Sequence, residues 1–291
     1  MIIANPIFDV VFKALIENEK IAKFFIGTLM GQTIETVEVK PQEFTYKDQA
    51  IGIAVFRLDF VATIKTENGE RKKVLIEIQK AKNQIDLMRF RNYLAEQYKK
   101  EDTMGNEKII LPILTIYILG FNIPEIEASA IKVERNYIDL VNNKVIEKKS
   151  DFVEKLTHDS YVVQVNRIKK NYTTRLEKLL SLFEQQNFSD DKQITKEFTH
   201  EVDSEEMKLA VDILHYAGTN PDQRKKLEIE QEAWRTINAM FEDKETKLMS
   251  IIQEKDSLLN EKDSLLNEKN KAMEMMAQEL EELKKKFDGN K

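Results

Sequence analysis

Cysteine is absent from these 291 residues, which excludes a disulfide framework, a thiolate metal site and a cysteine nucleophile together. Histidine is nearly absent too: His158, His200 and His215 are the only three, and they do not stand at zinc-ligand spacing. Any metal would therefore be held by carboxylates. With 8 glycines and 5 prolines the chain has few obligatory turns, and a charged fraction of 33% suits long solvated helices. The N-terminus lacks a basic segment followed by an apolar one, and no later run approaches the length of a membrane span, so a cytoplasmic protein without membrane contact is expected.

An apolar fraction of 42% supports a packed core, and the length leaves room for a further region beside it. The formal net charge of -6 is not that of a chain coated for nucleic acid. Charge is uneven, however. Between Lys65 and Lys100 ten Lys or Arg stand against five acids, which reads either as a phosphate-facing surface or as an ordinary local excess.

Apolar residues at helical spacing (Val11, Leu15, Phe24, Phe25, Leu29) predict one or two amphipathic helices over 8–29, entered at Asn5-Pro6 and left near Gly27 and Gly31. Residues 37–46 are rich in strand formers, and 55–64 alternate, with Phe60, Ala62 and Ile64 on one face and Asp59, Val61 and Thr63 on the other. Asn68-Gly69 tolerates positive φ and predicts a hairpin into 74–78, where Leu75, Glu77 and Gln79 share a face. A helix over 83–100, an apolar strand region over 109–121 and short strands at 131–140, 144–147 and 161–165 follow. After Asn166 the pattern reads as helical almost to the end, with breaks at 187–191 and 218–222.

The tail contains EKDSLLN at 254–260 and again at 261–267, an identical repeat with a period of seven. With Ile252, Leu259, Leu266, Met273 and Leu280 at position a, lysines 255, 262 and 269 fall at d. A self-associating coiled coil over 250–291 is the preferred reading; a single solvated helix with an apolar stripe is the alternative.

Asp59 and Glu77 are the strongest chemical pair. Acids on neighbouring strands of a hairpin can converge on one hard divalent cation, with the backbone carbonyl of Ile78 as a third donor. Magnesium or manganese so held would neutralise phosphate charge and activate water, as phosphodiester hydrolysis requires. The alternative is that both acids merely face solvent on a half-exposed hairpin.

Asp59, the hairpin and then Glu77-Ile78-Gln79-Lys80 resemble the PD-(D/E)XK motif in an E-x-Q variant. Asp9-Val10-Val11-Phe12-Lys13, Arg57-Leu58-Asp59, Ile76-Glu77-Ile78-Gln79, the Arg89/Tyr93 spacing and Leu111-Pro112-Ile113-Leu114 together resemble the recombination-promoting nuclease (Rpn) and putative transposase family over about residues 5–170. The resemblance implies a restriction-endonuclease-like α/β (α+β) core with a mixed central sheet flanked by helices. It also implies a metal-dependent DNA endonuclease acting in recombination, mobile-element movement or phage defence. Asp59, Glu77 and the Ile78 carbonyl would be metal ligands, and Gln79 would take the place usually held by lysine. Glutamine cannot act as a general base, so Gln79 would position water or substrate.

Accessory candidates are Asp9 and Lys13, one turn apart on the first helix, and Arg89, placed to bind phosphate. Asp9 and Lys13 read equally well as a surface ion pair. Lys80 follows the motif but falls on the opposite face if the strand continues. The expected organisation is a nuclease-like domain over 1–170, a helical accessory region over 171–222 and a long helix or coiled-coil tail over 223–291. The competing function is a catalytically silent nuclease-like scaffold that assembles or binds a partner through its tail.

Overall fold

The computed structural model describes residues 1–47, 54–80, 84–104, 106–169 and 172–288, with side chains described there except at 40–47, 54–59, 84–86, 89, 104, 237–238, 240–245, 279 and 281–288. The chain opens with a short strand, β1 (Ile2–Ala4), and two helices, α1 (Asp9–Ile16) and α2 (Glu19–Met30). Asn18 starts α2 by accepting from the Ile21 amide at 3.2 Å. Gly31 ends it in the left-handed region at φ 65°, the conformation glycine adopts without a Cβ penalty.

Three long strands follow, β2 (Ile34–Lys47), β3 (Ala54–Thr66) and β4 (Arg71–Gln79), then α3 (Gln84–Lys99). The turn between β3 and β4 is the expected Asn68-Gly69 one, with Gly69 at φ 82°. A small hairpin, β5 (Asp102–Met104) and β6 (Glu107–Ile109), leads into β7 (Ile113–Leu119). Next come β8 (Ala130–Val133), β9 (Tyr137–Asp139), β10 (Lys144–Ile146), α4 (Asp151–Leu156) and β11 (His158–Gln164). The single strand expected over 131–140 is thus two, β8 and β9. Arg135 lies between them, its guanidinium drawn to Asp159 and Glu154, each at 2.8 Å.

The chain then runs through α5 (Arg175–Ser181), β12 (Thr195–Glu197), α6 (Glu205–Thr219) and α7 (Pro221–Asp288). The helical reading of everything after Asn166 is corrected by β12. That strand pairs antiparallel with β1, setting Ile3 opposite Lys196, a partnership between the two ends of the domain.

The central sheet has six strands in the order β2-β3-β4-β7-β11-β8; β4, β7 and β11 are parallel, and the other neighbours antiparallel. The molecule is therefore a mixed α/β protein. α3 is the crossover that parallel β4 and β7 require. On one face Phe60, Ala62, Ile64, Val74, Ile76 and Ile78 pack into a large core with α1, α2, α5 and α6. On the other, Val61, Leu75 and Ile113 pack with Phe90 and Tyr93 of α3.

Phe12 sits at the junction of the larger core, 5.2 Å from Phe60 and 5.5 Å from Phe25 between ring centroids. Leu179, Phe183, Met207 and Leu214 are buried in the same core. Residues 171–222, set apart by the sequence pattern as an accessory region, are for that reason continuous with what precedes them: one compact unit spans Met1–Glu232 and a second Ala233–Lys291. Among the described residues, no helix is long and apolar enough to cross a membrane.

Candidate active site

The paired register of β3 and β4 runs from Lys65 opposite Arg71 to Phe60 opposite Ile76. Asp59 immediately precedes Phe60, and Glu77 immediately follows Ile76. The two acids are the next residues on their strands, with the parity of Val61 and Leu75, which belong to the face under α3. The side chain of Asp59 lies outside the described residues; its backbone pairs with Gln42 on β2. Glu77 is 1% exposed and Gln79 7%. A carboxylate so deeply placed keeps its charge only beside cations or hydrogen-bond donors.

Backbone direction bears on the third expected donor. The Lys73 amide donates to the Pro112 carbonyl at 2.9 Å, and the Gln79 carbonyl accepts from the Gly120 amide at 2.8 Å. Odd-numbered residues of β4 therefore address β7, and by alternation the polar backbone groups of Ile78 are turned towards β3. That is the side from which Asp59 approaches in sequence order.

In the parallel register Glu77 stands beside Tyr117. Burial, with the Glu77 charge adding to it, pushes the Tyr117 phenol up to about 12, so the hydroxyl stays protonated and available as a donor. Tyr117 packs against Phe90 of α3, the two rings tilted at 60° with their centroids 4.7 Å apart. Tyr93, at 2% exposure, is a core residue of that helix. The side chain of Arg89 lies outside the described residues.

Two accessory candidates meet on the opposite face of the sheet. Lys80 pairs with Glu230 and lies 4.0 Å from the Phe8 ring centroid. Glu230 also accepts from the amides of Asp9 at 2.9 Å and Val10 at 3.2 Å. This is the face that strand alternation assigns to Lys80. Lys13 makes an ion pair with Glu17 at 3.9 Å.

Of the ten cations over 65–100, five form ion pairs among the described residues, Lys80 with Glu230 being one. Lys65 pairs with Glu35, Lys72 with Glu70, Lys73 with Asp102 and Lys99 with Glu96. Lys73 is itself buried, at 4% exposure, on the same strand face as Glu77. Its parity in the β4 alternation was the available signal. Glu230 had none, lying more than two hundred residues from the amides it caps.

The donor types suit a small hard cation, because magnesium binds through one or two carboxylates and keeps several waters. Among the described residues, which do not include the Asp59 side chain, no three histidine, aspartate or glutamate side chains gather as a metal cluster. Two carboxylates and a carbonyl are a sufficient protein share for this ion.

No family model, no curated protein and no solved structure matches this chain.

Proposed function

We propose that the chain is a metal-dependent DNA endonuclease with a PD-(D/E)XK-type core, in which Asp59, Glu77 and the Ile78 carbonyl hold Mg²⁺ or Mn²⁺. The observation carrying this reading is that Asp59 and Glu77 lie directly beyond the last β3–β4 register pair, Phe60 opposite Ile76, on their two strands. A bound divalent cation would supply charge neutralisation at the phosphate and a water of lowered pKa. Gln79, next but one on the same face, would orient water or substrate by its amide, since it has no proton to take or give at neutral pH. The N-terminal resemblance to the recombination-promoting nuclease family supports the same substrate class.

One observation favours a second reading, a catalytically silent scaffold. Glu77 is almost fully buried, and the residue two further on is glutamine rather than lysine. Both readings are separated by one experiment with the full chain: incubation with supercoiled, linear and single-stranded DNA at graded Mg²⁺ or Mn²⁺, beside Glu77→Ala. Metal-dependent cleavage lost in the variant supports the nuclease. Intact DNA in every form, with no divalent binding by calorimetry, leaves the scaffold.

A further inference from the structure

The second unit presents a surface whose chemistry specifies its own partner. Along α7, Leu258, Leu259, Leu265 and Leu266 are each more than half exposed. The identical seven-residue repeat places these leucine pairs, and the lysines between them, at the same heptad positions every two turns. With Leu259 and Leu266 at a, position d holds Lys255, Lys262 and Lys269 in the middle of the stripe and the apolar Leu248 and Met276 at its ends.

Direction follows from this pattern. Two parallel helices in register set d against d and would bring three lysine pairs face to face, which like-charge repulsion opposes. Antiparallel helices set a against d. In an alignment level at Ser264, Leu259 meets Lys269 of the partner subunit and Leu266 meets Lys262 of the partner subunit, while the outer layers, Ile252 with Met276 and Leu248 with Leu280, are wholly apolar. A lysine stem can lie along leucine with its ammonium at the rim. Asp256 and Asp263, each following a lysine in sequence, place carboxylates at that rim. We propose that this stripe docks a second copy of the chain, the two α7 helices running antiparallel and level at Ser264.

The inference is independent of the nuclease reading and is tested on the full chain. Light scattering should return twice the 34.1 kDa of one chain. Because the chain has no cysteine, Ser250→Cys and Ser264→Cys each give one attachment point for a spin label on the outward face of the helix. In the antiparallel pair two Ser264 labels lie level, whereas two Ser250 labels are offset by 28 residues, about 42 Å along the axis at 1.5 Å per residue. Leu259→Glu with Leu266→Glu should return the mass to that of one chain. Equal short distances at both label sites, a wild-type mass other than two chains, or a dimer that survives both glutamates overturns the proposal.

Discussion

Glu77 and Tyr117 are register partners on the two central parallel strands, a buried carboxylate beside a partly buried phenol under one helix. In the proposed enzyme Glu77→Gln keeps the side-chain volume while removing the charge that would bind the cation. Cleavage should fall by a hundredfold or more, because a cation contribution of several kcal/mol converts at about 1.36 kcal/mol per tenfold in rate. Calorimetric titration with Mg²⁺ gives a readout apart from activity: heat of binding in the wild type that is absent in the variant. Equal binding by both proteins would remove Glu77 from the proposed metal site.

Glu230 does for α1 what a local capping residue does elsewhere. Phe8, at the N-cap, has no side-chain oxygen to offer, and Glu230 accepts from the first two amides of the helix while pairing with Lys80. Glu230→Ala removes a cap, worth about 0.5–2 kcal/mol, and leaves a mostly buried lysine without this partner. A loss on the order of 3 kcal/mol is expected in urea unfolding. Glu230→Gln should recover part of it, since the amide oxygen still accepts from backbone N–H.

Lys196 is buried where β12 meets β1, with its Nζ donating to the carbonyls of Glu184 at 2.5 Å and Ser181 at 3.3 Å. Burial pushes its ammonium down from 10.5 to about 7, with the Glu184 charge opposing the shift. Below about pH 7 folded and unfolded chains both carry the proton. Between about 7 and 10.5 the unfolded chain binds a proton that the folded one does not, so this residue makes stability rise with pH across that window. Comparing thermal unfolding of wild type and Lys196→Met from pH 6 to pH 10 isolates the effect. The variant should gain most at the acidic end, and the difference should shrink as pH rises.

Gly218 lies near the end of α6, where a Cβ would stand 2.8 Å from the Ala4 nitrogen and 3.0 Å from the Ile3 carbonyl carbon. Both contacts are backbone and cannot rotate away. Gly218→Ala gains about 1 kcal/mol of helix propensity against an overpacking cost of about 1–3 kcal/mol. A lower melting temperature is expected. An increase would show that α6 does not press on β1.

Much of the chain is legible locally. Gly31 ends α2, Gly69 turns the hairpin, and the alternation over 55–64 and 74–78 assigns Val61 and Leu75 to one face and Phe60 and Ile76 to the other, as the two cores confirm. These features depend on backbone dihedrals and on periods of 2 and 3.6 residues, which a short window contains. The expected helix over 83–100 and the observed α3 agree for the same reason.

What the sequence by itself determined is therefore the type of most elements in the first half, the inward faces of β3 and β4, and the heptad of the tail. Only the tertiary structure decided that β12 pairs with β1, that Glu230 caps α1, that Lys73 is buried against Asp102 and that 171–222 completes the core. Each of these joins residues far apart along the chain or picks one partner among several equivalent charges. Such choices depend on which surfaces meet when the whole apolar interior closes, and no local pattern carries that information.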